Sequence, residues 1–162
     1  MDIWTERLEH RHLPLLECWT ERTTGRLTAS DFPMDSGKLS QWFDRCSSDS
    51  TRIDCLISAY ETPVGIAGLR RCIEQEIAAE LYLVLGETNY NPLRTATYAT
   101  LRMLDRAFLD CKYDRINAQI CGGHREYLDA LEQMGFSKTT DKDGLLWASV
   151  EKRIYIDRKY LF

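Results

Sequence analysis

Between Glu80 and Phe108 the chain reads ELYLVLGETNYNPLRTATYATLRMLDRAF, and its residue types suit the binding of an anion. Leu81 to Leu85 is a continuous apolar run that breaks at Gly86; a short polar loop follows, and Asn91-Pro92 opens a patterned helix. That order aims unpaired helix N–H groups past the carboxyl end of a strand, where a phosphate can lodge. The N–H groups of Leu93, Thr95, Ala96 and Thr97 are expected to point from the helix end. The Arg94 side chain and the Thr95 hydroxyl add donors suited to phosphate. Cys121-Gly122-Gly123-His124 brings a thiol and an imidazole together, but nucleophile–base pairs are assembled in space rather than within one Gly-rich loop, and a strand-end turn explains it better. His10, His12 and His124 are not at metal-ligand spacing relative to the cysteines, so no metal site is expected.

The elements that position these residues follow from periodicity and turn chemistry. Ile3–Glu9 alternates weakly as a first strand, and His12–Arg22 carries Leu13, Leu15, Leu16 and Trp19 at roughly helical spacing. Thr23–Ser36 is a loop rich in Thr, Ser, Gly, Asp and Pro. Ser36–Cys46 places Leu39, Trp42, Phe43 and Cys46 on one helical face. Arg52–Tyr60 reads as a strand, Glu61–Gly65 as a turn and Gly65–Ile73 as the returning hairpin strand. Ile77–Leu85 is more uniformly apolar, as expected of a central strand. Pro92–Leu109 is the clearest helix, with Asn91 as N-cap and Pro92 as first helical residue. Arg115–Ile120 is a strand, and Arg125–Met134 a helix stopped by Gly135. Phe136–Thr140 and Leu145–Arg158 read as two strands joined by Asp143-Gly144. The order predicts one α/β (α+β) domain over residues 1–162, its mixed sheet antiparallel early and parallel in the middle.

The composition narrows the partners. Twenty-five acidic against 21 basic residues give a net charge of -4 with no basic run, which disfavours nucleic acid. No apolar run approaches the ~20 residues that cross a bilayer. The opening MDIWTERLEH is charged where a secretory signal is apolar, which points to the cytoplasm. Cys18, Cys46, Cys55, Cys72, Cys111 and Cys121 form no C-x-x-C pair, and a 162-residue chain at 44% hydrophobic content builds a core without disulfides, so free and mostly buried thiols are expected. Tyr160-Leu161-Phe162 is an apolar C-terminus that suits either the end of the last strand or a homodimer contact.

Two segments resemble the GCN5-related N-acetyltransferase (GNAT) superfamily. AELYLVLGETNYNPLRTATYATLRML is similar to that family's fourth strand, pyrophosphate loop and third helix, and LDALEQMGF to its helix ending in Gly-Phe. The element order over essentially all 162 residues also fits. The resemblance implies a twisted, mainly antiparallel sheet of six to seven strands flanked by four helices. The pyrophosphate loop is a degenerate version: Asn91, Arg94 and Ala96 occupy the motif positions and only Ala96 conforms, while Pro92 stands where the family has glycine. Near the last helix, His124 and Leu131 occupy the places of the family's Asn and Tyr.

What the resemblance implies is transfer of an acetyl or other acyl group from acetyl-CoA, as co-substrate, to a primary amine of a small molecule or peptide, without a metal. The backbone of Leu83, Val84 and Leu85 would hold the thioester carbonyl. Asn91, Leu93, Arg94, Thr95, Ala96, Thr97 and His124 would line the cofactor site. A lysine-like amine at ~10.4 is mostly charged at pH 7, and neutralising it costs roughly 4–5 kcal/mol, so a carboxylate base helps. Glu80 is the first candidate and Glu87 the second. Tyr127 is the candidate acid for the thiolate, uphill by ~1.5 pK units or ~2 kcal/mol. Asp31 and Asp35 fall where the family places its acceptor wall. Each has a blander account: Glu80 as a solvated strand residue, Tyr127 as core beside Leu128 and Leu131, and the aspartates as surface charge. The alternative function is a GNAT-fold domain that has lost turnover and serves as an acyl-CoA-binding or protein-interaction module.

Overall fold

Seven strands form a single sheet in the order β1-β2-β3-β4-β5-β7-β6. The computed structural model describes residues 1–22, 24–72, 77–87 and 89–161. The strands are β1 Ile3–Arg7, β2 Arg52–Ala59, β3 Thr62–Arg71, β4 Ala78–Leu85, β5 Arg115–Gln119, β6 Ser137–Thr140 and β7 Leu146–Glu151. The helices are α1 Leu13–Thr20, α2 Leu39–Ser48, α3 Pro92–Asp105, α4 Arg125–Gln133 and α5 Lys152–Arg158. Neighbouring strands run antiparallel except β4 and β5, the parallel pair expected in the middle. The expected end of the third strand at Ile73 lies outside the described residues.

Strand alternation divides the core in two. Leu81, Leu83 and Leu85 of β4 pack with Ala96, Met103, Tyr127 and Tyr155 on the face covered by α3, α4 and α5. Tyr82 and Val84 point the other way, onto Leu16 and Trp19 of α1 and Trp42 of α2. Both faces of β4 are therefore dry, which explains its almost unbroken apolar run.

Local chemistry accounts for most boundaries. Tyr60 and Glu61, at φ 50° and 70°, make the tight turn between β2 and β3, so of the turn expected over Glu61–Gly65 only Glu61 takes part and Thr62–Gly65 already belong to β3. Gly144 takes φ 80° in the last hairpin, and Asp141 accepts the N–H groups of Asp143 (2.9 Å) and Leu145 (3.0 Å).

One expectation fails. Leu145–Arg158 is not a single strand: β7 ends at Glu151 and Lys152–Arg158 is helical, giving five α-helices among the described residues where four were expected. Tyr155 is the cause. It is buried against Phe108, and its hydroxyl donates to Asp105 Oδ1 at 2.9 Å, so burial selects a helical turn rather than an extended one. The chain then finishes in a short 3-10 turn, Lys159–Leu161, which removes Tyr160 and Leu161 from any strand.

Candidate functional site

The parallel pair opens into a V. β4 and β5 are bonded only through Ala78↔Arg115, Ala79↔Ile116 and Glu80↔Asn117, and beyond Glu80 they separate. Glu80 thus lies at the vertex. Its side chain shares a face with Tyr82 and Val84, and Arg70 Nη2 reaches its Oε2 at 3.4 Å.

The opening is filled by the chain itself. Gly25 to Ala29, from the loop after α1, bridges antiparallel to both strands, Arg26 opposite Val84 and Thr28 opposite Ile120. Leu85 N–H donates to Gly25 O (2.7 Å), Leu27 N–H to Leu83 O (3.2 Å), Ala29 N–H to Gln119 O (2.8 Å) and Cys121 N–H to Leu27 O (3.1 Å). Leu83 N–H donates to the Thr28 hydroxyl at 2.9 Å. The backbone of Leu83 to Leu85, expected to hold a thioester carbonyl, is therefore committed here: Leu83 and Leu85 to this strap, and Val84 in the ladder with Ile66 of β3.

Arg26 fastens the strap. Its guanidinium donates to the carbonyls of Phe32 (2.7 Å), Thr20 (3.0 Å) and Pro33 (2.8 Å) and lies over the Phe32 ring. No carboxylate pairs with it among the described residues, and burial pushes it below its ordinary value. Cys121 lies nearby. Burial raises its thiol, the opposite of what a nucleophile needs, which agrees with reading Cys121–His124 as a turn.

The start of α3 is more self-contained than expected. Asn91 caps it by accepting Arg94 N–H at 3.0 Å, and Pro92 has no N–H to offer. Thr95 N–H donates to Asn91 O at 2.9 Å as an ordinary helical bond, and Ala96 and Thr97 lie further inside the same ladder. Only the Leu93 N–H at this end has no partner among the described residues. Thr95 is buried, and its hydroxyl donates to Asn91 O at 2.9 Å. The Thr97 hydroxyl turns back onto Leu93 O at 2.8 Å. Threonine hydroxyls inside a helix bond the carbonyls of the preceding turn, and the Asn91 cap and the helical ladder take the amides.

Beside this helix end runs a groove of about 600 Å³ between α3 and α4, lined by Asn91, Leu93, Arg94, Tyr98, Leu101 and Gln133 among others. Arg94 lies over the Tyr98 ring, 5.8 Å from its centre. Glu126 and Asp129 face the same groove. His124 is the N-cap residue of α4 and is half-buried, with no capping bond from its side chain.

Tyr127 lies beneath the groove rather than in it. It is fully buried, and its hydroxyl meets Thr100 Oγ1 at 2.8 Å. Burial pushes the phenol up to about 12. Proton donation from there to a thiolate at ~8.5 is uphill by roughly 3–4 units, or about 5 kcal/mol, which does not suit the acid role.

Three acidic residues that face α1 and α2, Asp31, Asp54 and Glu87, are partnered, and Asp35 accepts Gly37 N–H at 2.9 Å. Asp31 accepts from Arg52 (2.7 and 3.1 Å) and from the Trp42 indole (3.1 Å); Asp54 accepts from Arg52 (2.9 and 3.0 Å) and from the Tyr82 hydroxyl (2.6 Å). Glu87 accepts from the Trp19 indole (3.0 Å) and Arg22 (3.1 Å), which hold it below the usual carboxylate range. This network, like the strap, has no short-range sequence signature, because its members are far apart along the chain.

Similarity to known proteins identifies the architecture. No family model matches the chain, and no curated protein sequence matches it. Solved structures do. A Vibrio cholerae spermidine N-acetyltransferase in complex with CoA and spermine superposes with a TM-score of 0.79 at 12% identity, over 95% of this chain and 98% of that one. A chimera of the Vibrio cholerae spermidine N-acetyltransferase SpeG and hSSAT gives 0.79 at 13% identity, over 98% and 100%. The Campylobacter jejuni N-acetyltransferase PseH gives 0.69 at 12% identity, over 93% and 98%. The fold is that of the GCN5-related N-acetyltransferases.

Proposed function

We propose that this chain is an acyl-CoA-dependent N-acyltransferase that transfers an acetyl or related acyl group to a primary amine of a small molecule or peptide. The observation that carries it is the splayed β4–β5 pair in a GNAT fold, with Glu80 at the vertex and a groove between α3 and α4 beside the start of the helix that follows β4. Structural neighbours that act on spermidine support a small-molecule amine as acceptor.

The fit to the donor is uneven. The groove has the volume for a long ligand, and Arg94 with the Leu93 N–H offers a single phosphate foothold. His124 and Asn91 border the same region. The strand edge between β4 and β5 is taken by the strap, so no step is routed through a thioester there. Glu80 is the residue assigned to take a proton from the acceptor ammonium, and Arg70 is the group it must share that carboxylate with.

The capped start of α3 favours a second reading, a GNAT-fold domain that binds an acyl-CoA or a protein partner without turnover. Thiol release from acetyl-CoA with a panel of amines separates the two. The enzyme reading expects amine-dependent release, and Glu80→Gln slowed at least ~100-fold with donor binding unchanged. Binding of acetyl-CoA with no amine giving release contradicts it, and an unchanged rate in Glu80→Gln removes Glu80 from the base role.

A further inference from the structure

The strap Gly25–Ala29 and the opening it fills belong together. Past the vertex the two strands would leave backbone groups unpaired on facing edges: N–H at Leu83, Leu85 and Cys121, and C=O at Leu83 and Gln119. An unpaired buried amide is costly, so something must bond them. In this structure the strap meets every one, with four backbone bonds and the Thr28 hydroxyl. Such an edge pattern accepts an extended chain carrying alternating amide donors and acceptors. The pantetheine arm of an acyl-CoA is a ligand of that kind, and so is the strap.

We propose that the strap is an internal stand-in for the donor: it occupies the acyl-CoA slot in the free protein and must leave before an acyl-CoA enters. This rests on the acyltransferase reading above. Three residues make the closed state. Gly25 has no Cβ, and one there would overlap the Leu85 carbonyl, so the strap seats only with glycine at this point. Thr28 takes the Leu83 N–H, the group a thioester carbonyl would need. The Arg26 guanidinium latches the strap from behind through the carbonyls of Thr20, Phe32 and Pro33, none of which lies on β4 or β5. The carbonyls that hold this guanidinium lie outside the slot, so the latch sets how readily the strap opens.

Amide hydrogen exchange on the full chain, with and without acetyl-CoA, tests the proposal alongside Arg26→Gln and Thr28→Val. In the free protein the Leu27 and Ala29 amides should exchange slowly. Acetyl-CoA should speed their exchange at least 10-fold, and both variants should bind acetyl-CoA at least 10-fold more tightly than the wild type. Acetyl-CoA binding with Leu27 and Ala29 still protected, or equal affinity in all three proteins, overturns the strap proposal and leaves the acyltransferase reading standing. Fast strap exchange in either variant without acetyl-CoA binding overturns both. Thr28→Val, nearly isosteric, keeps the test decisive should Arg26→Gln fail to fold.

Discussion

Asp31 joins α2 to the sheet. Arg52, whose side chain is 6% exposed, donates two bonds to it, and Trp42 of α2 donates a third. Burial raises this carboxyl, but those hydrogen bonds outweigh it and hold the group at about 2. A folded value below the unfolded ~3.9 makes the contribution complete above pH ~4 and lost as pH falls from there through about 2. Because a third of the side chain meets solvent, we expect Asp31→Asn to cost about 1–2 kcal/mol at pH 7 and to flatten the loss of stability between pH 4 and 2. Thermal melts of both proteins across that range check it; parallel curves would refute the assignment. The same pairing argues against Asp31 as a docking charge for a cationic acceptor, since its oxygens already have donors. The family resemblance implies an acceptor wall there, with surface charge as the blander account. What decides the matter is Arg52, 21 positions away in sequence.

At the scale of elements, a helix can be read from its own residues while its readiness to bind a ligand cannot. Asn91-Pro92 marked the start of α3 because a side-chain cap and a fixed φ act within a few residues. The same two residues close that start: one supplies the cap that takes the Arg94 amide, and the other lacks an amide. Asn91→Ala should therefore lower stability by about 1 kcal/mol, and it should free the Arg94 N–H for an anion. Melting with and without inorganic phosphate measures both effects. Loss of stability with no gain in phosphate stabilisation would show that the helix end is not an anion site. The last strand was misjudged for the complementary reason. Leu145–Arg158 is apolar enough for a strand, and only the pull of Asp105 and Phe108 on Tyr155 turns its second half into α5. The strap was invisible for yet another: five residues that pair with two strands, neither of them near in sequence, carry no period of their own.

Across the whole molecule, the mixed sheet, antiparallel early and parallel in the middle, and its central apolar strand were legible because periodicity and turn residues each act locally and agree. The V between β4 and β5 is where that agreement stops, and it is there that the fold leaves backbone edges to be satisfied by something outside the ladder. The strap satisfies them in this structure, and on our proposal an acyl-CoA would do so in its place. The central claim is thus that this chain binds an acyl-CoA at all. Thermal melting with acetyl-CoA tests it most directly. Ligand at 100 times its dissociation constant adds about 2.7 kcal/mol, which for a chain of this length raises the midpoint by roughly 5–10 °C. The account predicts such a rise with millimolar acetyl-CoA; an unmoved midpoint with both acetyl-CoA and CoA would contradict it.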